Sequence, residues 1–393
     1  MSQKWKKYPI NRLFEKKTHK KCYLRCIHMN NNKGVNMNNL KKLGVSALAG
    51  SLVAVSAHAG EISVSGSANV TLKHGKGENT GRTIGTDKDV AFTGSGELDN
   101  GWTFTVSTLL TDAYTVSSSY TSMTMGSLGT VSFGTDTGGA SYKYDEEVPQ
   151  AYEQLSDSQQ NSANKVGDQM DSNMIVYNSP ALEMGGASIS LDLEYSPMAQ
   201  GGTGNNDGGQ ATYSATYGAG KGAGITISYD ALKLGAYGSE IENTTPTATN
   251  TDAVGDAFFG AWYAKYSFGP VSIGYTESYH DQGLTGTATA TTAVKTVGTS
   301  QGFFEGNQMS IAFNVNDNLS ISYTDGEDTY DAQGSNTATQ TTADVTMGQE
   351  ALQIAYSMGG MSIKAYQMEV ENVGYDSDAA KRDVTEIALG LSF

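Results

Sequence analysis

From Glu61 onward, apolar and polar residues take turns. Ile62, Val64, Ala68, Val70 and Leu72 occupy one phase, and Ser63, Ser65, Ser67, Asn69, Thr71 and Lys73 the other. A period of two marks a strand with two unlike faces. The alternation returns at Ile189-Leu191-Leu193-Tyr195 against Ser188-Ser190-Asp192-Glu194, at Met309-Ile311-Phe313-Val315 and at Ile387-Leu389-Leu391-Phe393. No convincing amphipathic helix interrupts it. Short turns are expected at Asp99-Asn100-Gly101, 126–129, 218–224, Gly269-Pro270, 316–318 and 358–360. Longer polar connections are expected near 74–87, 136–170, 196–209, 241–256, 282–300, 328–345 and 372–382. The pattern predicts sixteen strands: 61–73, 88–98, 102–112, 117–125, 130–135, 171–179, 187–195, 210–217, 225–240, 257–268, 271–281, 303–315, 319–327, 347–357, 361–371 and 383–393. The phase shifts at Tyr229-Asp230-Ala231-Leu232, where a bulge or an extra turn fits, and again after Ile363.

Sixteen two-faced strands have two physical outcomes. A soluble sandwich or solenoid buries the apolar phase between layers. An all-β, 16-stranded antiparallel transmembrane barrel turns that phase toward lipid and wets its interior. The even count and the alternation of short with long connections favour the barrel. So does the scarcity of proline, six in 393 residues, because a closed sheet in lipid cannot spare backbone donors. Aromatics near strand ends, such as Tyr195, Tyr229, Trp262, Tyr266, Phe268, Tyr275, Tyr323 and Tyr356, suit interfacial girdles.

Charge divides the chain. Residues 1–59 hold twelve of the 25 Lys and Arg but one of the 41 acids, so the rest carries 13 bases against 40 acids. An acidic chain is a poor partner for nucleic acid. No apolar run reaches the ~17–25 residues of a spanning helix. Lys41 and Lys42, the apolar stretch 43–57 and the small-x-small triplet Ala57-His58-Ala59 are ordered as in a secretory signal, with cleavage between Ala59 and Gly60. Residues 37–59 are read as that signal, and 1–36 as a basic extension with Met37 as the natural start. Both cysteines, Cys22 and Cys26, lie in the extension, so the mature chain is expected to fold without disulfides.

The segments Gly60–Gly66, Gly94–Gly101, Leu128–Gly134, Asn173–Pro180 and Phe393 carry a family likeness. Residues 60–393 resemble the sixteen-stranded general porins of Gram-negative outer membranes, most nearly those of marine alphaproteobacteria. The resemblance implies a homotrimer in lipid and lipopolysaccharide, a third outer loop folded into each pore, and Phe393 as a signal for the barrel-assembly machinery. It also implies that the loop at 136–170 forms the constriction, with Asp136, Tyr142, Lys143, Tyr144, Asp145, Glu146, Glu147, Glu153, Asp157 and Asp168 as its candidate residues.

Carboxylates in a narrow, low-dielectric passage concentrate cations and repel anions. Family constrictions oppose the acidic loop with wall bases, but Val176 stands where a base would be sought. Inward-phase bases are few: Lys73, Lys233, Lys265 and Lys364, with Glu97, Asp192 and Glu194 adding negative charge to the wall. The expectation is passive diffusion of small hydrophilic solutes and ions, with cation preference and a weak transverse field. A substrate-specific channel and a closed surface barrel or adhesin are the alternatives. No catalytic constellation is present: the mature part offers only His74 and His280 as imidazoles. No cofactor is expected. Loosely held Ca²⁺ or Mg²⁺ is conceivable at Asp325-Gly326-Glu327-Asp328 and Asp376-Ser377-Asp378, although neither has the spacing of a calcium loop.

Overall fold

The computed structural model describes residues 60–77, 80–112, 115–135, 139–167, 170, 173–199, 217–243, 255–283, 291–298, 300–332 and 343–393. The readings made for 1–36 and 37–59 lie outside them. Sixteen wall strands follow one another: β1 (Glu61–Gly77), β2 (Gly81–Glu97), β3 (Thr103–Leu110), β4 (Val116–Thr124), β5 (Thr130–Thr135), β6 (Met174–Asn178 with Leu182–Met184), β7 (Ala187–Ser196), β8 (Tyr217–Tyr229), β9 (Leu232–Asn243), β10 (Ala257–Phe268), β11 (Val271–Asp281), β12 (Phe303–Asn316), β13 (Leu319–Asp331), β14 (Val345–Met358), β15 (Met361–Glu371) and β16 (Arg382–Ser392).

Strand β6 is one wall element in two segments, both paired with β7. Pro180, which has no N–H, sits in the gap. The ladder is patched beside it, where Ser179 N donates to the Leu191 carbonyl at 2.8 Å and Leu191 N donates to Ser179 Oγ at 2.8 Å. Every neighbouring pair is antiparallel, and β16 returns to β1. At that seam Gly66 N donates to the Phe393 carbonyl and Phe393 N to the Gly66 carbonyl, both at 3.0 Å. The closed ring leaves no sheet edge along its seam.

The polarity is inside out, as the barrel reading requires. Ile62, Leu72, Leu191, Ile311, Leu352 and Leu391 are exposed, while Ser310, Thr324 and Gln353 on the opposite phase are buried. Phe393 also lies outside, its ring against Gly66, where an added Cβ would come within 2.5 Å of the ring.

Two predicted strands are corrected. The segment 218–224 is part of β8 and not a turn, because its glycines lie along a ladder with β7. The chain reverses instead at Asp230-Ala231, where Asp230 takes a φ of +52°. Predicted strands 210–217 and 225–240 are thus replaced by β8 and β9, and the count of sixteen survives; residues 210–216 lie outside the described residues. The connection predicted at 74–87 is nearly all strand, since β1 and β2 pair out to Gly75 and Gly81. Polar residues there face water on both sides, so they lack the apolar beat that announces a strand.

The slip after Ile363 is not a slip in pairing. The β15 ladder is continuous, with Ile363 outward and Tyr366, Met368 and Val370 inward. Toward the loop end the wall inverts. Glu305, Glu327 and Glu371 face out, while Phe304, Tyr330, Met347 and Val370 pack inside with Val297 and Tyr375. Such a dry interior under a charged exterior belongs in water, above the lipid.

Candidate functional site

The connection between β5 and β6 folds into the lumen. A 3-10 turn at Ser141–Lys143 and another at Leu155–Asp157 lead to a short helix, α1 (Ser162–Gly167). Asn161 caps α1, its Oδ1 accepting from Asn164 N at 2.9 Å. The Asp328 carboxylate of β13 accepts from Ser162 N at 2.6 Å and from Ser162 Oγ at 2.5 Å.

Glu146 is the inner pin of this loop. It is 3% exposed, with a φ of +40°. Its carboxylate accepts from Asn161 Nδ2 at 2.8 Å, Gln308 Nε2 at 2.7 Å, Ser156 N at 3.3 Å and Ser156 Oγ at 2.5 Å. Burial pushes its pKa up, and these donors partly offset the rise.

Other wall groups fix the loop along its length. Lys143 Nζ and Tyr144 Oη donate to Asp192 at 2.6 and 2.8 Å. The Tyr144 ring lies 5.3 Å from that of Tyr237 and 6.2 Å from that of Tyr263, and burial pushes its phenol pKa up. Glu194 accepts from Ala140 N at 2.6 Å and from the Tyr237 hydroxyl. Glu147 pairs with Lys265. Gln353 and Gln349 hold the backbone, donating at 2.5 Å to the Glu153 carbonyl and at 2.7 Å to the Gln159 carbonyl.

At the loop tip, Lys73 Nζ lies 3.3 Å from Asp157 and 3.4 Å from Glu386. The Tyr366 hydroxyl donates to the same two acids, and Tyr152 Oη donates to Glu386 at 2.8 Å. Burial, then Asp157 and Glu386, raises the pKa of Glu153. Arg382 Nη1 donates to the Ser158 carbonyl at 2.6 Å. Lys73, Thr83, Asp157 and Arg382 border a cavity of about 530 Å³ beside the tip.

Most of the expected constriction residues are therefore brought together, but as anchors. Asp145 and Glu146 are buried, Glu147, Glu153 and Asp157 sit at wall contacts, and Tyr142 and Lys143 remain exposed. Lys364 lies 5.0 Å from the Tyr152 ring centre and Lys233 5.4 Å from that of Tyr263. Glu97 faces inward opposite Thr103 at the far end of β2, away from the loop. Val176 packs with Ala140 and Met174, so no base stands there. Asp136 and Asp168 lie outside the described residues. The expected oxygens of 325–328 are divided between faces: Asp325 and Glu327 point out and Asp328 points in to Ser162.

Sequence reasoning missed Arg382, Gln349 and Gln353, and named Asp328 only as a cation ligand and not as a loop anchor, although each sits in the inward phase of its strand. It also missed Asp87 and Asp89, which face inward on β2 opposite Asn69 and Ser67.

The filled and open sides of the lumen differ. On β10 to β16 the inward side chains are largely buried under the loop. On β1 to β5, Ser107 alone of the described inward positions is buried. The rest are mostly hydroxyls, small residues and acids, with Asn69, Lys73, Leu109 and Tyr120 among them, and none is buried.

A family model described as Gram-negative porin matches residues 44–317. No curated protein matches the chain in sequence. Among solved structures, OmpF of Salmonella typhi in complex with daunomycin superposes with a TM-score of 0.63 at 13% identity, covering 85% of this chain and 98% of that one. In-vitro folded OmpT, an outer membrane protein of Vibrio cholerae, gives 0.59 at 14%, covering 86% and 99%. A mutant of Rh. blastica porin gives 0.51 at 14%, covering 85% and 100%.

Proposed function

The chain belongs to the Gram-negative porins, and from that premise we propose that it is a passive, cation-preferring diffusion channel for small hydrophilic solutes and ions. Its place is the outer membrane. One observation carries the reading: apart from the loop-tip contact at Lys73, the inward wall of β1 to β5 is wettable and left unburied by the loop that fills the opposite side. Hydroxyls and glycines there offer hydrogen bonds without bulk, which suits hydrated solutes and no single ligand. Carboxylates outnumber bases on the same wall, which supports cation preference. The test is the current of refolded protein in planar bilayers under a salt gradient. Ohmic steps with a cation-directed reversal potential are expected. A silent bilayer removes the channel reading, and an anion-directed potential removes the preference.

A homotrimer is part of the proposal. Outward Thr108, Ser119 and Thr121 on β3 and β4 form a polar patch, with Thr108 and Ser119 hydroxyls 3.4 Å apart, that supports packing against a second copy better than against lipid. OmpT of Vibrio cholerae has been solved in a trimer form. Cross-linking in detergent should give a three-chain species. Phe393 on the outer surface fits recognition by the assembly machinery, and the polar outer rim fits lipopolysaccharide. Loose binding of Ca²⁺ or Mg²⁺ by exposed acids would appear as a melting temperature lowered by chelator.

A further inference from the structure

We infer that the ion preference of this pore is set by the barrel wall, through Asp87 and Asp89 of β2, and not by the acids of the inserted loop. The inference rests on the channel reading and names the residues that give it its sign. Three of the described loop acids are compensated where they stand. Asp157 is paired with Lys73 and receives the Tyr366 hydroxyl, Glu147 is paired with Lys265, and Glu146 is enclosed by four donors. A carboxylate with a cation or several donors against it projects little field into the neighbouring water.

The open wall is different. Asp87 and Asp89 occupy successive inward positions of β2, beside Asn69 and Ser67 of β1. Neither is in an ion pair among the described residues, and Asp87 is exposed. Lys88 between them points outward by the alternation of the strand. Across the ladder on the other side, β3 ends at Leu110, which pairs with Val90, so no inward base of a neighbouring strand stands beside them. The one inward cation on β1 to β5 among the described residues is Lys73, and it is already held by Asp157 and Glu386. An uncompensated pair of carboxylates on the uncovered side of a low-dielectric tube acts on passing ions, whereas a compensated set on the covered side does not.

The experiment measures reversal potentials in a potassium chloride gradient for the native protein, for D87N, D89N and D87N/D89N, and for the loop variant D157N. The native protein should be cation-preferring. D87N/D89N should lower the cation-to-anion permeability ratio by about twofold or more while keeping ohmic steps. D157N should lower it less than either single wall substitution does, because Lys73 stays paired with Glu386 and no bare cation is left in the lumen. The double substitution D87K/D89K should move the potential further toward anions than the asparagine pair does. An unchanged potential in all wall variants, with collapse of preference in the loop variant, overturns the inference and leaves the channel intact. No current from the native protein removes both.

Discussion

The two sides of the barrel share one backbone plan and treat water oppositely. On β10 to β16, inward Gln308, Ser310, Ser322, Gln349 and Gln353 are buried because each reaches for the loop backbone or its neighbours. On β1 to β5, inward Ser63, Ser65, Thr71, Thr83 and Ser122 have no such cover. The same polar phase that solvates a passage on one side serves as hydrogen-bonding partner to an inserted loop on the other. Polarity of the inward phase therefore does not say where the hole is; the length and donor pattern of the side chains does. Long amides that reach the loop, Gln308, Gln349 and Gln353, are found on the filled side, and the inward phase of β1 to β5 has no glutamine.

Equal bulk added on the two sides is the sharpest way to break this contrast. Ala351 is fully buried beside Leu155. A351W should destabilise the folded barrel by about 1–3 kcal/mol through overpacking, read as a lower melting temperature in detergent. Gly85 lies on the open side, and a Cβ there meets only the Thr71 side chain, its hydroxyl at 2.6 Å. G85W should leave the melt nearly unchanged and reduce single-channel conductance by roughly half. If both variants act alike, the two sides are not distinct.

Next in size is Glu146→Ala. It strands the Asn161, Gln308 and Ser156 donors in a dry site, a loss of about 1–3 kcal/mol in loop anchoring. Protease cleavage within 141–167 and noisier open-channel current should report it, with the strands intact.

Acidity should tighten the same anchor. The pKa of Glu146 and Glu153 is raised in the fold above the ordinary value of 4.5. The folded state therefore binds more protons than the unfolded chain between the ordinary and the raised value. Stability from these groups is present in full below 4.5, and is lost as pH rises through the raised values. Loop proteolysis at pH 7 should slow as pH falls toward that range, and E146Q should flatten the dependence.

The smallest effect is expected outside the lumen. Lys221 and Glu240 form an exposed pair at 3.1 Å on the outer wall. K221Q/E240Q should change thermal stability by about 0–1 kcal/mol and conductance not at all.

Architecture was legible wherever one strand face is oily, as at Leu191 and Ile311. It was illegible where both faces are wet or where the faces exchange roles. The outer half of β2 hid as a loop because Thr83, Thr86 and Asp87 give no apolar beat. Glycines at 218–224 looked like a turn, yet small residues are needed there: a Cβ on Gly224 would strike the Tyr144 ring at 2.4 Å. Loop insertion came from family resemblance, not from local pattern. Its anchors, such as Glu146 with Gln308 and Asn161 with Gln349, lie so far apart in the chain that no periodicity links them.

The Gly66–Phe393 seam also sets an order of events. Its two strands are separated by almost the whole described sequence, so they can meet only after β16 has joined the growing sheet. Until then β1 keeps one row of backbone groups unmatched, which lipid penalises heavily. Insertion thus behaves like a zipper whose slider must travel the full circumference before the garment holds, and a chain halted near β12 should be degraded rather than left as a smaller ring.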